Sequence, residues 1–265
     1  MTDSTLLVRA TLALYADALR QSTYALGRHV WIVGLVPAYT LGLGVVTGLG
    51  QQLGFLGGFL VFLAVAACAS SFLAVISEAI ANQRFRIENL GQTFGRFFSR
   101  VVTVFFVFWI IQLLLAMIVS ENPNLLWLLI AVNAGIFLLF NPVPELIYQG
   151  TTDGMALLND AVQFMRDNLV EWLVPLAILL APFFLIDPRL GFVAMARIDV
   201  TNGLEVVIGV VHEWIPLGEP AGTLVATTIA SFLIVWAMLF RGYLFRALAR
   251  SGRRQRIFDA RVRGL

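Results

Sequence analysis

The chain has 265 residues, 59% of them hydrophobic and 13% charged, with a formal net charge of +2 and a mean hydropathy of +0.86. Soluble domains carry roughly a quarter charged residues, so water is excluded as this chain's main solvent. All 18 basic residues are arginine, which excludes a Walker A lysine, a Schiff base and lysine catalysis, so any ATP hydrolysis has to come from a partner.

A hydrocarbon core roughly 30 Å thick takes about 20 apolar helical residues per crossing. The apolar runs here lack the alternation of a membrane strand. The expected fold is therefore all-α, a polytopic membrane helix bundle forming one domain over residues 1–265. Residues 5–28 place Leu12, Tyr15, Leu19, Ser22 and Leu26 at helical spacing, which predicts an amphipathic helix lying flat in the interface. A first hydrophobic run that follows such a segment argues against a cleavable signal peptide. Crossings one and two are expected at about 30–50 and 55–80, joined by the charge-free turn 51–54 into a tight hairpin. The only cysteine, Cys68, lies within the second run and reads as a packing residue, with no disulfide open to it.

Residues 84–100 carry Arg84, Arg86, Arg96 and Arg100, with Ile87, Leu90, Phe94, Phe97 and Phe98 spaced for a second interfacial helix. Crossings three and four are expected at about 101–119 and 125–140. The run Asn141-Pro142-Val143-Pro144-Glu145 then kinks or ends the helix, because two prolines remove two backbone donors and restrict the residues before them. A third interfacial helix is predicted over 153–168, capped by Asp153, with Leu157, Leu158, Ala161, Phe164 and Met165 on one face. Crossings five and six follow at about 169–186 and 221–240, separated by an apolar outer segment at 187–220 and followed by a basic tail at 241–265. The three units of interfacial helix plus crossings begin near residues 10, 85 and 153. They read either as an internal repeat or as convergent patterning.

With the amino terminus inside, every arginine except Arg189 and Arg197 falls on the inner side. Arginine excess on short cytoplasmic segments sets topology, so about six crossings with both termini cytoplasmic are expected. In the tail, Arg250, Arg253, Arg254 and Arg256 are expected to contact anionic headgroups at about 1 kcal/mol each. A nucleic-acid partner is not expected, since a membrane anchor needs such a basic stop signal in any case.

Several constellations remain. Gly44, Gly48, Gly50, Gly54 and Gly58 supply small-residue spacing for close helix packing across the first hairpin. Gln112 and Asn133, each mid-crossing, are expected to share an interhelical hydrogen bond. Glu78, Glu145 and Glu171 fall at similar depth and could line an inner vestibule, with Asn141, Pro142 and Pro144 shaping it, or pair with Arg84, Arg100 or Arg166. The pattern favours simple helix punctuation at 141–145 over a binding or partner site. His29 and His212 fall on opposite sides of the membrane and cannot share a metal. His212-Glu213-Trp214-Ile215-Pro216 fails the His-Glu-x-x-His spacing. No catalytic, cofactor or metal residue is expected.

The order of elements resembles the poorly characterised bacterial six-helix proteins built from amphipathic-helix and hairpin units, some fused to glycerophosphodiester phosphodiesterases as membrane domains. It also resembles, in topology alone, the permease subunits of type-2 ABC exporters, in which the loop after the second crossing docks on a cytoplasmic ATPase. The long helix 153–168 departs from that second pattern. The expectation is a non-enzymatic subunit, scaffold or accessory component of a transport or assembly complex in a bacterial inner membrane, held by lipid and protein partners. The alternative is an exporter permease driven by a separate ATPase.

Overall fold

Apolar segments form helices here because a backbone amide in hydrocarbon has to bond within its own segment. The computed structural model describes residues 3–81, 87–186 and 221–250, with isolated positions 252, 255, 258 and 262 beyond. The expected outer segment 187–220 lies outside the described residues, as do Arg84, Arg86, Arg189, Arg197, His212, Arg253, Arg254 and Arg256.

Among the described residues nine α-helices follow in order: α1 (Asp3–Arg28), α2 (Leu35–Gln51), α3 (Phe55–Ile80), α4 (Leu90–Arg96), α5 (Phe98–Glu121), α6 (Leu126–Phe140), α7 (Val143–Gln149), α8 (Gly154–Ile186) and α9 (Ala221–Arg250). Short 3-10 turns lead into α2, α4 and α6. No strand occurs among the described residues. Among the described residues five helical segments, Val30–Gln51, Leu56–Ile80, Phe98–Glu121, Trp127–Gln149 and Ala221–Arg250, are long and apolar enough to cross a membrane.

α3 is the central element. Half of its apolar window is buried, against 17% for α5 and 11% for the α6–α7 segment. One core joins α3 to parts of the other helices, with Ile32, Ile76, Met165, Leu239 and Leu244 fully buried in it. Away from that packed end the helices expose large apolar side chains such as Leu41, Phe59, Trp109 and Trp127.

α1 leaves Leu12 and Leu19 exposed, as an apolar face turned to the interface allows. It packs on α9 while burying Ala10, Ala18, Ser22 and Ala25, because where the surroundings are as apolar as leucine, small residues rather than large ones let helices approach. The predicted helix 84–100 is instead a short α4 broken at Phe97 (φ −118°), and the third crossing begins at Phe98 rather than Val101. The last helix runs to Arg250, so Arg241 and Arg246 belong to α9 and not to a tail. The glycine stripe packs as expected only at Gly50: a side chain at Gly44, Gly48 or Gly58 would meet nothing within 4 Å. Close approach occurs at Gly50 and Gly57, where a Cβ on Gly57 would lie 1.8 Å from the Gly50 carbonyl oxygen. Gly54 turns the hairpin at φ +57°, a backbone conformation that glycine adopts without a steric penalty.

In α8 the predicted division between interfacial helix and crossing falls at Asn168, whose φ and ψ are −129° and 21°. Leu157, Leu158, Ala161, Phe164 and Met165 are all buried. Asp153, expected as a cap, lies directly before Gly154, the first residue of α8, and its carboxylate pairs with Arg100.

Candidate functional site

The Asn141–Glu145 interruption lies between α6 and α7 and is held by side chains from distant helices. α6 ends at Phe140; Pro142 takes φ −82° and ψ 4°; and α7 restarts with Pro144 in its first turn, where a missing amide proton leaves no bond unmade. Glu145 is fully buried. Its two carboxylate oxygens accept from Arg241 Nε at 2.8 Å and Nη2 at 2.9 Å, a forked pair. The same Nη2 donates to the Asn141 carbonyl at 2.6 Å. Trp172 Nε1 donates to Asn141 Oδ1 at 2.8 Å, and its ring lies 5.2 Å from the Arg241 guanidinium carbon. The break is thus a junction of α6, α7, α8 and α9.

The other end of α7 is gripped from α5. Arg100 Nη1 donates to the carbonyls of Ile147 at 2.8 Å and Gly150 at 3.2 Å, while its Nε pairs with Asp153. A guanidinium at a helix C-terminus satisfies carbonyls that have no partner in the helix and meets the negative end of its dipole. Arg241 and Arg100 therefore clamp α7 at both ends.

Glu78 does not join Glu145. It takes Arg96 Nη1 at 2.6 Å, tying α3 to α4. Glu171 is buried, and its backbone carbonyl accepts from the Tyr15 hydroxyl at 2.7 Å. The carboxylates of Glu78 and Glu145 are thus held by different arginines, neither of them the Arg84, Arg100 or Arg166 named as partners from sequence. Gln112 donates to Asn133 between α5 and α6. Arg250 is exposed near the end of α9.

A second polar chain escaped the sequence reading. Tyr39 Oη lies 2.7 Å from Ser71 Oγ, Ser71 Oγ lies 2.5 Å from Thr93 Oγ1, and Thr93 donates to the Leu90 carbonyl at 2.6 Å. The adjacent Ser70 accepts the Phe97 amide at 3.0 Å, capping the break between α4 and α5. The only sequence signal was the Ser70-Ser71 pair inside an apolar run. His29, just before the first span, is buried, and its Nε2 has no partner among the described residues. Burial, reinforced by the neighbouring Arg28 charge, lowers its pKa.

No group of three or more histidine, cysteine, aspartate or glutamate side chains suited to a metal occurs among the described residues. Comparison with protein-family models, curated proteins and solved structures finds no match for this chain. The class that fold and site define is a multi-pass helical membrane bundle braced at one end by arginine-carboxylate pairs.

Proposed function

We propose that the chain is a non-enzymatic subunit, a scaffold or accessory component, of a transport or assembly complex in a bacterial inner membrane. In this reading the second arm of α8, residues 169–186, is the remaining crossing. Six crossings then bring both termini to the cytoplasmic side, as the arginine distribution requires. The order of elements fits the bacterial six-helix proteins it resembles.

The observation that supports the scaffold reading is how the charges are used. Glu145, Glu78 and Asp153 each engage an arginine from another part of the chain. Ionisable groups that line a transport path instead face a water-filled cavity. Co-purification from mild detergent at native expression is expected to bring a partner protein with the chain. A chain that runs alone and monomeric would sink the reading.

The exporter-permease reading has one observation in its favour: α4 presents Gly91, Gln92 and Gly95 outward from the turn between α3 and α5. A cysteine at Gln92, in a Cys68→Ala background, would crosslink to an ATPase subunit if that surface docks one. The scaffold reading expects no ATPase adduct.

A further inference from the structure

The ends of α3, α7 and α9 enclose an open cavity of about 390 Å³ walled by Ser77, Tyr148, Gln149, Phe245, Arg246 and Arg250. That volume is within the roughly 300–1,000 Å³ of small-molecule sites. Two of the wall residues are cationic, and no carboxylate among the described residues lines the cavity. The carboxylates nearest in sequence are neutralised elsewhere, Glu78 by Arg96 and Glu145 by Arg241. Arg246 is steadied at the rim by donating to the Ile80 carbonyl at 3.4 Å, and Gln149 by donating to the Gly242 carbonyl at 2.9 Å. The hydroxyl of Tyr148 is buried and has no hydrogen-bond partner among the described residues.

The geometry points to a phosphate-group site in this cavity, read by Arg246 and Arg250. Guanidinium groups match phosphate oxygens in charge and in forked hydrogen-bond geometry. Basic pockets between membrane helices take phospholipid headgroups. The shared chemistry is a phosphate oxyanion, supplied either by an anionic phospholipid or by a free phosphate. The site is independent of whether the chain works as a scaffold or as a permease.

The test uses the full chain, delipidated in a neutral detergent, with thermal unfolding followed at constant ionic strength. Dioleoylphosphatidylglycerol, dioleoylphosphatidylcholine and inorganic phosphate are titrated in separate arms. A saturable rise of the midpoint with phosphatidylglycerol alone identifies the lipid as occupant. An equal rise with inorganic phosphate identifies the free ion. Arg250→Gln, at an exposed position, is expected to weaken the apparent affinity about fivefold, and the double variant with Arg246→Gln roughly 25-fold. Arg166→Gln, at an exposed arginine on α8, leaves it unchanged. The proposal is overturned if neither phosphate source shifts the midpoint, or if Arg166→Gln weakens binding as much as Arg250→Gln does.

Discussion

Glu145, wholly buried, is paired with Arg241, and breaking such a pair leaves an uncompensated charge. Glu145→Gln is therefore expected to lower stability by about 3 kcal/mol or more, and Arg241→Gln by a comparable amount. The double substitution should recover part of the loss, because it removes both charges. Unfolding by a graded denaturing detergent checks all three. Helix punctuation alone would have left Glu145→Gln silent. His29 carries a pH prediction of the same sign as a carboxylate with a lowered pKa, with stability lost on acidification, but here because a neutral buried group resists charging. Its pKa is lowered by burial, so below about 6.5 the unfolded chain takes up a proton that the folded chain refuses. Stability is then full above that pH and falls as pH drops through it. A His29→Gln chain should show a flatter stability profile between pH 7 and 5. The oddity of Glu145 was legible in sequence, because prolines and a carboxylate rarely interrupt an apolar run. Its partner, 96 positions away, was not. Counting arginines for topology assigns each to a headgroup, and nothing local distinguishes Arg241 from its neighbours.

At the level of elements, the first hairpin separates two kinds of glycine. Gly57→Ala forces a carbon into the Gly50 carbonyl, and overpacking of this kind costs about 1–3 kcal/mol. Gly48→Ala meets open space and is expected to leave the unfolding midpoint unchanged. Pro144→Ala is also expected to be nearly silent, since residue 144 sits in the first turn of α7. The buried face of α8 could be read from sequence because flanking charges, Asp160 and Arg166, mark the opposite side. That of α1 could not be read by the same rule. Its leucines and its alanines are both apolar, and the choice between them depends on what α9 presents, which no local pattern contains. The hairpin glycines share this ambiguity: repeated small residues permit close approach, but which of them is used depends on the partner's register.

For the whole molecule, the crossing count turns on residues 169–186. With Cys68→Ala as background, cysteines at the exposed positions Thr151 and Ala221 should label from opposite sides of the membrane if that arm spans it. Labelling from one side would reduce the bundle to five crossings and place the two termini on opposite faces. The spans themselves were legible because hydropathy over 20 residues reports the solvent directly. The tertiary arrangement was not, because its polar joints link α2 to α3 and α7 to α9 across long stretches of chain. The clamp on α7 also has a consequence for how the protein is made. Glu145 is synthesised and inserted well before α9 exists, so until the last helix arrives the nascent bundle carries a carboxylate with no counter-charge in its interior. The arrival of α9 and the neutralisation of that charge are one event. A chain cut short before residue 221 should therefore be an exposed target for membrane proteases, with a half-life in cells that lengthens when Glu145 is replaced by Gln.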